Sequence, residues 1–154
     1  MAKRFTFRFE TMLRIRRQRE DERKRIVASR LREIRNLQKY MASLEQQIHD
    51  ELRAIRIGRQ PGTIDMQQII RHRQWLGCLH KSVLEGQAKA RFLEAELARE
   101  RADLADAAKQ RRILEKLKER QWEQHRSEQD RVEALAADDL TTVRFVFDQQ
   151  VGAS

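Results

Sequence analysis

The stretch "GRQPGT", Gly58 to Thr63, is the strongest interruption in a chain of 154 residues that contains only five glycines and one proline. Glycine suits the position just after a helix end, and Pro61 cannot continue a helix. Thr63 can cap the start of a new helix. The stretch therefore predicts a turn over residues 58–63 between two long helices.

Upstream of this turn, apolar residues recur at the seven-residue spacing of a coiled coil. Stepping by seven from Leu13 passes through Glu20 and then reaches Val27, Ile34, Met41, Ile48 and Ile55. A second series from Phe9 meets three arginines before it becomes apolar at Leu37 and Leu44. We predict a first helix over about 8–57, held more weakly between Arg14 and Arg25 or covered there by something else.

Downstream, a second heptad series passes through Ile69, Leu76, Val83, Ala90, Leu97 and Leu104, with Leu79, Leu93 and Ala107 on the partner series. It then meets charged residues, and a register slip brings Ala107, Leu114 and Leu117 onto the apolar face, with Ile113 in the last seam layers. A second helix over about 64–137 is predicted. Residues 141–154 begin with the β-branched run Thr141, Thr142, Val143 and are expected to form a disordered tail.

Two long helices joined by a short connector predict an all-α fold, a long antiparallel two-helix coiled coil that forms one domain over residues 1–140. A parallel homodimer of one unbroken helix is the competing arrangement, which Pro61 disfavours. Symmetry about the turn places residue i near residue 121 − i. On this estimate the second helix has no partner from about Gln121 onward, and Trp122 begins the overhang.

The composition excludes most enzyme classes. Charged residues make up 37% of the chain and aromatic residues 6%, which is typical of long solvated helices without a thick core. No glycine-rich phosphate loop and no paired cysteines occur. The spacing of His72, Cys78 and His80 does not stack three ligands on one helix face. We predict no enzymatic activity, no metal site and no cofactor.

Positive charge is concentrated at the N-terminus, where residues 1–32 contain twelve Lys/Arg and four Asp/Glu. Nucleic-acid binding is one reading, but acids at positions 20–22 interrupt the basic run and no zipper follows it. Membrane-surface binding through Phe5, Phe7 and Phe9 is another. Their alternation favours packing onto the second helix near Arg112–Lys116. Neither a secretory signal nor a membrane span is apparent, so a cytoplasmic location is expected.

Two charged segments lie on either side of the predicted turn. "FRFETMLRIRRQREDERKRIVA", Phe7 to Ala28, is similar to the aromatic and basic N-terminal motif of the FliJ family of flagellar export proteins. "ILEKLKERQWEQHRSEQDRVEALA", Ile113 to Ala136, resembles its C-terminal motif, with a Leu-Glu-Lys-Leu core. Their order around a central turn is more specific than either motif alone.

The resemblance implies an accessory component of the flagellar type III export apparatus, with a coiled coil similar to the gamma-subunit stalk of rotary ATP synthases. Its implied partners are the hexameric export ATPase FliI, the export gate FlhA and export chaperones, with no nucleic acid. The implied location is the cytoplasmic face of the inner membrane, reached only through the export apparatus. A stalk protein of a virulence type III secretion system is the nearest alternative.

The family also indicates which surfaces would meet these partners. The end that bears both termini would enter the ATPase ring, and the contact residues expected there are Arg8, Met12, Arg16, Lys116, Lys118 and Arg120. For the gate contact we nominate the half nearer the turn, where Tyr40 and Trp75 are large rings beside seam positions; packing at the edge of the seam is the alternative for both rings. The 121 − i estimate puts Tyr40 opposite Lys81, less than two helical turns from Trp75, so we expect an exposed aromatic pair.

Overall fold

The computed structural model describes residues 3–58 and 65–153, which form two long helices. Helix α1 spans Glu10–Gly58 and helix α2 spans Met66–Gly152. The described residues contain no strand, and the two helices pack against each other as a helical hairpin. The predicted all-α hairpin is confirmed. Most of the predicted turn, including Pro61 and Thr63, lies outside the described residues.

Both helices begin at well-defined caps. The N–H of Leu13 donates to the carbonyl of Phe9 at 2.8 Å, so α1 starts at Glu10, two residues later than predicted. At the start of α2, the Asp65 carboxylate accepts a hydrogen bond of 3.1 Å from the N–H of Gln67. An aspartate at this position satisfies one of the free amide groups of the first turn. Asp65 therefore caps α2.

Helix α2 continues to Gly152, where the sequence had predicted an end near residue 137 and a disordered tail over 141–154. The hydroxyls of Thr141 and Thr142 donate to the carbonyls four residues earlier, at 2.8 and 2.9 Å. These bonds satisfy the threonine side chains within the helix. Threonine costs less than about 0.7 kcal/mol relative to alanine in a helix, so the β-branched run is too weak to end α2.

The contacts divide the chain into two units, and unit 2 comprises Glu20–Asp106. Its buried core consists of leucines from both helices: Leu37, Leu44, Leu79, Leu93 and Leu97. All five leucines lie on the apolar series that the heptad spacing predicted. Gly86 belongs to the same series as Leu79 and Leu93, and a Cβ placed there would overlap the sulfur of Met41. The absence of a side chain at Gly86 therefore lets Met41 pack directly on α2.

The register of unit 2 differs from the 121 − i estimate. Met41 packs on Gly86, six positions beyond the residue 80 that the estimate gives. Near the turn, His72 bonds to Glu51, two positions beyond the predicted residue 49. One cause is that α1 ends at residue 58 and α2 begins at residue 66, which moves the centre of the hairpin toward residue 62.

Unit 1 comprises Met1–Arg19 and Ala107–Ser154. Leu13 is completely buried in it, and Phe7 is 8% exposed. The Phe7 ring meets the Phe9 ring edge-on, with centroids 5.9 Å apart. Aromatic side chains in this arrangement contribute both apolar burial and a favourable ring geometry. Two of the three N-terminal phenylalanines are thus engaged with each other inside the unit.

The segment of residues 3–9, which precedes α1, contacts α2 at Trp122 and at residues beyond it. The Phe5 and Trp122 rings meet edge-on at 5.3 Å, and the carbonyl of Lys3 accepts hydrogen bonds of 3.0 Å from both His125 and Gln129. Phe5 therefore packs six residues beyond residue 116, the position that the 121 − i estimate gives, so the predictions that it packs near 112–116 and that Trp122 has no partner are wrong. Met41 shows the same offset of six residues, so the alignment of the two helices accounts for the difference.

Candidate functional site

Two of the six residues predicted to contact the ATPase ring hold the helices of unit 1 together. The Lys118 Nζ lies 2.8 Å from a carboxylate oxygen of Glu10, and the Arg16 guanidinium donates to the side-chain oxygen of Gln110. The hydrogen bond from Lys118 lowers the pKa of Glu10. Glu10 also lies in the first turn of α1, where a negative charge interacts favourably with the helix dipole. Arg16 and Lys118 therefore stabilise the hairpin.

The other four predicted residues point outward. Met12 is 45% exposed, and Arg8, Lys116 and Arg120 are exposed. The Arg8 guanidinium lies 5.6 Å from the centre of the Phe9 ring, a cation–π distance. These four side chains can meet a partner without first breaking a contact between the helices.

A row of basic residues on α2 extends this surface. We call it the basic stripe; its members, all exposed, are Lys109, Arg112, Lys116 and Arg120. Their spacing of three, four and four residues keeps them on one helix face. Ile113 lies beside the stripe and is 58% exposed, so its predicted place in the seam is wrong. Helical spacing of the basic residues in the sequence would have identified Lys109 and Arg112.

In unit 2, polar contacts bridge the part of the seam that charge interrupts. Arg30 makes hydrogen bonds of 2.8 to 3.3 Å to both carboxylate oxygens of Glu100, whose side chain is only 12% exposed. Hydrogen bonding to Glu100 raises the pKa of Arg30. Arg23, seven residues earlier, lies 3.6 Å from Asp103. Paired polar side chains thus replace the missing apolar layers.

The two residues predicted to contact the export gate are exposed but do not form a pair. Tyr40 is 52% exposed and Trp75 is 50% exposed. The neighbour of Tyr40, Met41, packs on Gly86, which lies eleven residues from Trp75 and about 16 Å along the helix. The prediction of an aromatic pair assumed the 121 − i register. It is wrong because the observed register places Tyr40 farther from Trp75 along α2.

The exposed basic and apolar side chains described above are of the kind that bind another protein. Residues 3–58 and 65–153 include no group of three His, Cys, Asp or Glu that could hold a metal ion. His72 is bonded to Glu51, and Cys78 is exposed. Within the same ranges, neither helix has a stretch apolar enough to cross a bilayer.

Comparison with known proteins gives one informative match. The model of the family described as "Flagellar FliJ protein" matches residues 5–149. This range includes all of α1 and all but the last three residues of α2. No curated protein and no solved structure matches the chain. The chain therefore belongs to the FliJ family, whose members are components of the flagellar type III export apparatus.

Proposed function

We propose that unit 1 binds the central opening of the hexameric export ATPase FliI and promotes its assembly or activity. The observation that carries this proposal is the basic stripe with the exposed Ile113 beside it. A surface that combines cationic groups with an apolar side chain suits an acidic protein partner, because charge steers the encounter and apolar contact holds the complex.

The charge of this region supports an acidic partner. Residues 1–19 contain seven Lys/Arg and one Glu, and residues 107–120 contain six Lys/Arg and two Glu. Most of these side chains are exposed, so their field extends into solvent but is screened over about 8 Å at physiological salt. We therefore expect binding to FliI to weaken as the salt concentration rises.

Charge reversal of the basic stripe tests the proposal. The variant carries Arg112→Glu, Lys116→Glu and Arg120→Glu and leaves Lys118 intact, because Lys118 is paired with Glu10. We expect its affinity for purified FliI hexamers to fall by at least about tenfold, since three attractive charges become repulsive. Any stimulation of ATP hydrolysis by the unaltered chain should fall with it.

A matched control changes net charge by the same amount in unit 2. It carries glutamate at three exposed basic positions of α2 there: Arg71, Lys89 and Arg91. The control should keep near-normal affinity for FliI if the stripe itself makes the contact. Equal loss in both variants would mean that only overall charge matters, and no loss in the stripe variant, with its helix content retained, would refute the proposal.

Unit 2 would connect the ATPase to the export gate FlhA and so hold the protein at the cytoplasmic face of the inner membrane. Trp75 and Tyr40 support this role because large exposed aromatic side chains often dominate protein interfaces. Trp75→Ala and Tyr40→Ala should each weaken binding to the cytoplasmic part of FlhA, while Phe92→Ala, at 62% exposure, serves as a control. If both variants bind FlhA normally, the proposal that Tyr40 and Trp75 contact the gate is wrong. Escort of export chaperones completes the proposed role and rests on family membership alone.

A further inference from the structure

The last five turns of α2 carry a row of apolar residues on one face. We call this row the C-terminal stripe; its members are Val132, Ala136, Leu140, Val143, Phe147 and Val151. Residues 130–153 are all solvent-exposed, and Val132, Leu140, Val143 and Phe147 are 55% to 66% exposed. Apolar surface gathered on one face to this extent marks an interaction site.

The stripe continues a face of α2 that is already used for packing. The N-terminal segment contacts Trp122, His125 and Gln129 through Phe5 and Lys3. Spacings of three and four residues carry the same face from Gln129 to Val132 and onward. A groove of about 550 Å³, lined by Lys3 and by residues that include Val132 and Ala136, lies where the covered part of this face ends.

The spacing within the stripe is 4, 4, 3, 4, 4, which reads the same in both directions. Residues 132 and 143, 136 and 147, and 140 and 151 are each eleven positions apart. An eleven-residue repeat corresponds to about 3.67 residues per turn, so the stripe stays on one face of a nearly straight helix. A seven-residue repeat accounts only for the four central members, from Ala136 to Phe147.

We propose that the C-terminal stripe binds the same stripe of a second copy of the chain, antiparallel, about a two-fold axis near residues 141 and 142. This inference is independent of the proposed binding to FliI. Each residue of the stripe then faces a residue of the second copy. Leu140 meets Val143, Val132 meets Val151, and the small Ala136 meets the large Phe147. Such a self-complementary patch is what a two-fold dimer requires.

Two further observations favour a second copy in this orientation. The antiparallel register brings Phe147 and Val151 of the second copy to the groove beside Lys3, whereas a parallel pair would place two basic N-terminal segments side by side. Residues 130–153 contain five acidic and two basic side chains, which disfavours an anionic membrane surface as the occupant.

The contact area predicts a weak dimer. Two helices in contact over about 30 Å bury roughly 1,000 Å² in total, at the lower limit for specific interfaces. We therefore expect a dissociation constant in the micromolar range for the full chain, measured by sedimentation equilibrium. A chain that stays monomeric up to about 100 µM would overturn the proposal. Binding of a monomer to vesicles of anionic phospholipid would overturn it too.

Variants at the centre of the stripe locate the interface. Leu140→Glu combined with Val143→Glu should raise the dissociation constant at least about tenfold, because four carboxylates would be buried in the dimer. Phe145→Ser is the control, since Phe145 is 63% exposed and lies on the opposite side of the helix. Circular dichroism verifies that both variants remain helical. A dimer unaffected by the double change would place the interface elsewhere and refute the proposal.

A volume exchange tests the orientation. Ala136→Phe should weaken the dimer several-fold by crowding Phe147 of the second copy, and Phe147→Ala should weaken it by leaving a void. The two changes together exchange the small and large residues across the same layer, so we expect affinity within about threefold of the unaltered chain. In a parallel dimer, position 136 meets position 136 and the combination would not restore affinity.

Discussion

Replacing Leu13 with alanine should destabilise unit 1 by about 3 kcal/mol. Leu13 is 0% exposed and is the largest fully buried side chain of the described residues. Burying a leucine stabilises a protein by about 1.5 to 3 kcal/mol, and the cavity left by its removal raises the cost to about 2 to 5 kcal/mol. Only two helices surround the site, so they can close partly on the cavity, which favours the lower half of that range.

Leu135→Ala is the matched control for this change. Leu135 belongs to the same unit and is 55% exposed, and leucine and alanine both favour helices. The same atoms are therefore removed with less than half of the burial. We expect a loss of less than about 1 kcal/mol for Leu135→Ala.

Urea denaturation followed by tryptophan fluorescence measures this difference. Trp122 reports on unit 1 and Trp75 on unit 2, so a Trp75→Phe background isolates the signal of unit 1. The slope against urea must be the same for both variants if their free energies of unfolding are to be compared. If Leu13→Ala and Leu135→Ala differ by less than about 1 kcal/mol, burial at Leu13 does not stabilise unit 1 in the way we infer.

Two further predictions concern an ion pair and a close helix contact. The hydrogen bond from Lys118 lowers the pKa of Glu10 in the folded chain below its ordinary value of 4.5. The pair therefore stabilises the fold at pH values above 4.5, and this stabilisation is lost as the pH falls through the lower pKa of the folded state. Lys118→Met should remove this acid dependence from thermal melts, and an unchanged dependence would show that the pair does not cause it. Gly86→Leu should leave the fold less stable than Gly77→Leu, because its side chain must displace the end of the Met41 side chain, whereas no atom lies within 4 Å of a Cβ at Gly77; equal stabilities in urea would contradict the close packing.

The sequence predicted the elements of the fold because their signals are local. Breakers gathered at residues 58–63 mark a single turn, and apolar residues at heptad spacing identify the buried leucines on both sides of it. Leu37, Leu44, Leu79 and Leu93 are buried as this spacing requires. The end of α2 was missed because a β-branched run only lowers helix propensity, and local hydrogen bonds from threonine offset that effect.

The candidate site was only partly predictable, because it depends on how the helices are aligned. The residue types at the basic end were evident, but the sequence does not show that Lys118 is paired with Glu10 while Lys116 is free to meet a partner. Likewise, the alignment of the helices determines that Phe5 meets Trp122. Side-chain pairing across the hairpin follows from the register, and the register follows from geometry outside any single motif.

The polar residues in the seam explain how this register is fixed. Apolar residues repeat every seven residues on both helices, so a slip of one heptad would still bring apolar side chains together over much of the seam. A slip in one direction would take Arg30 away from Glu100 and place it opposite Leu93, while Glu100 would come opposite Arg23. A slip in the other direction would place Arg16 opposite Leu117 and away from Gln110. Since a charged or polar group in the seam is costly when it loses its partner, the arginines that interrupt the apolar series specify one alignment of the hairpin.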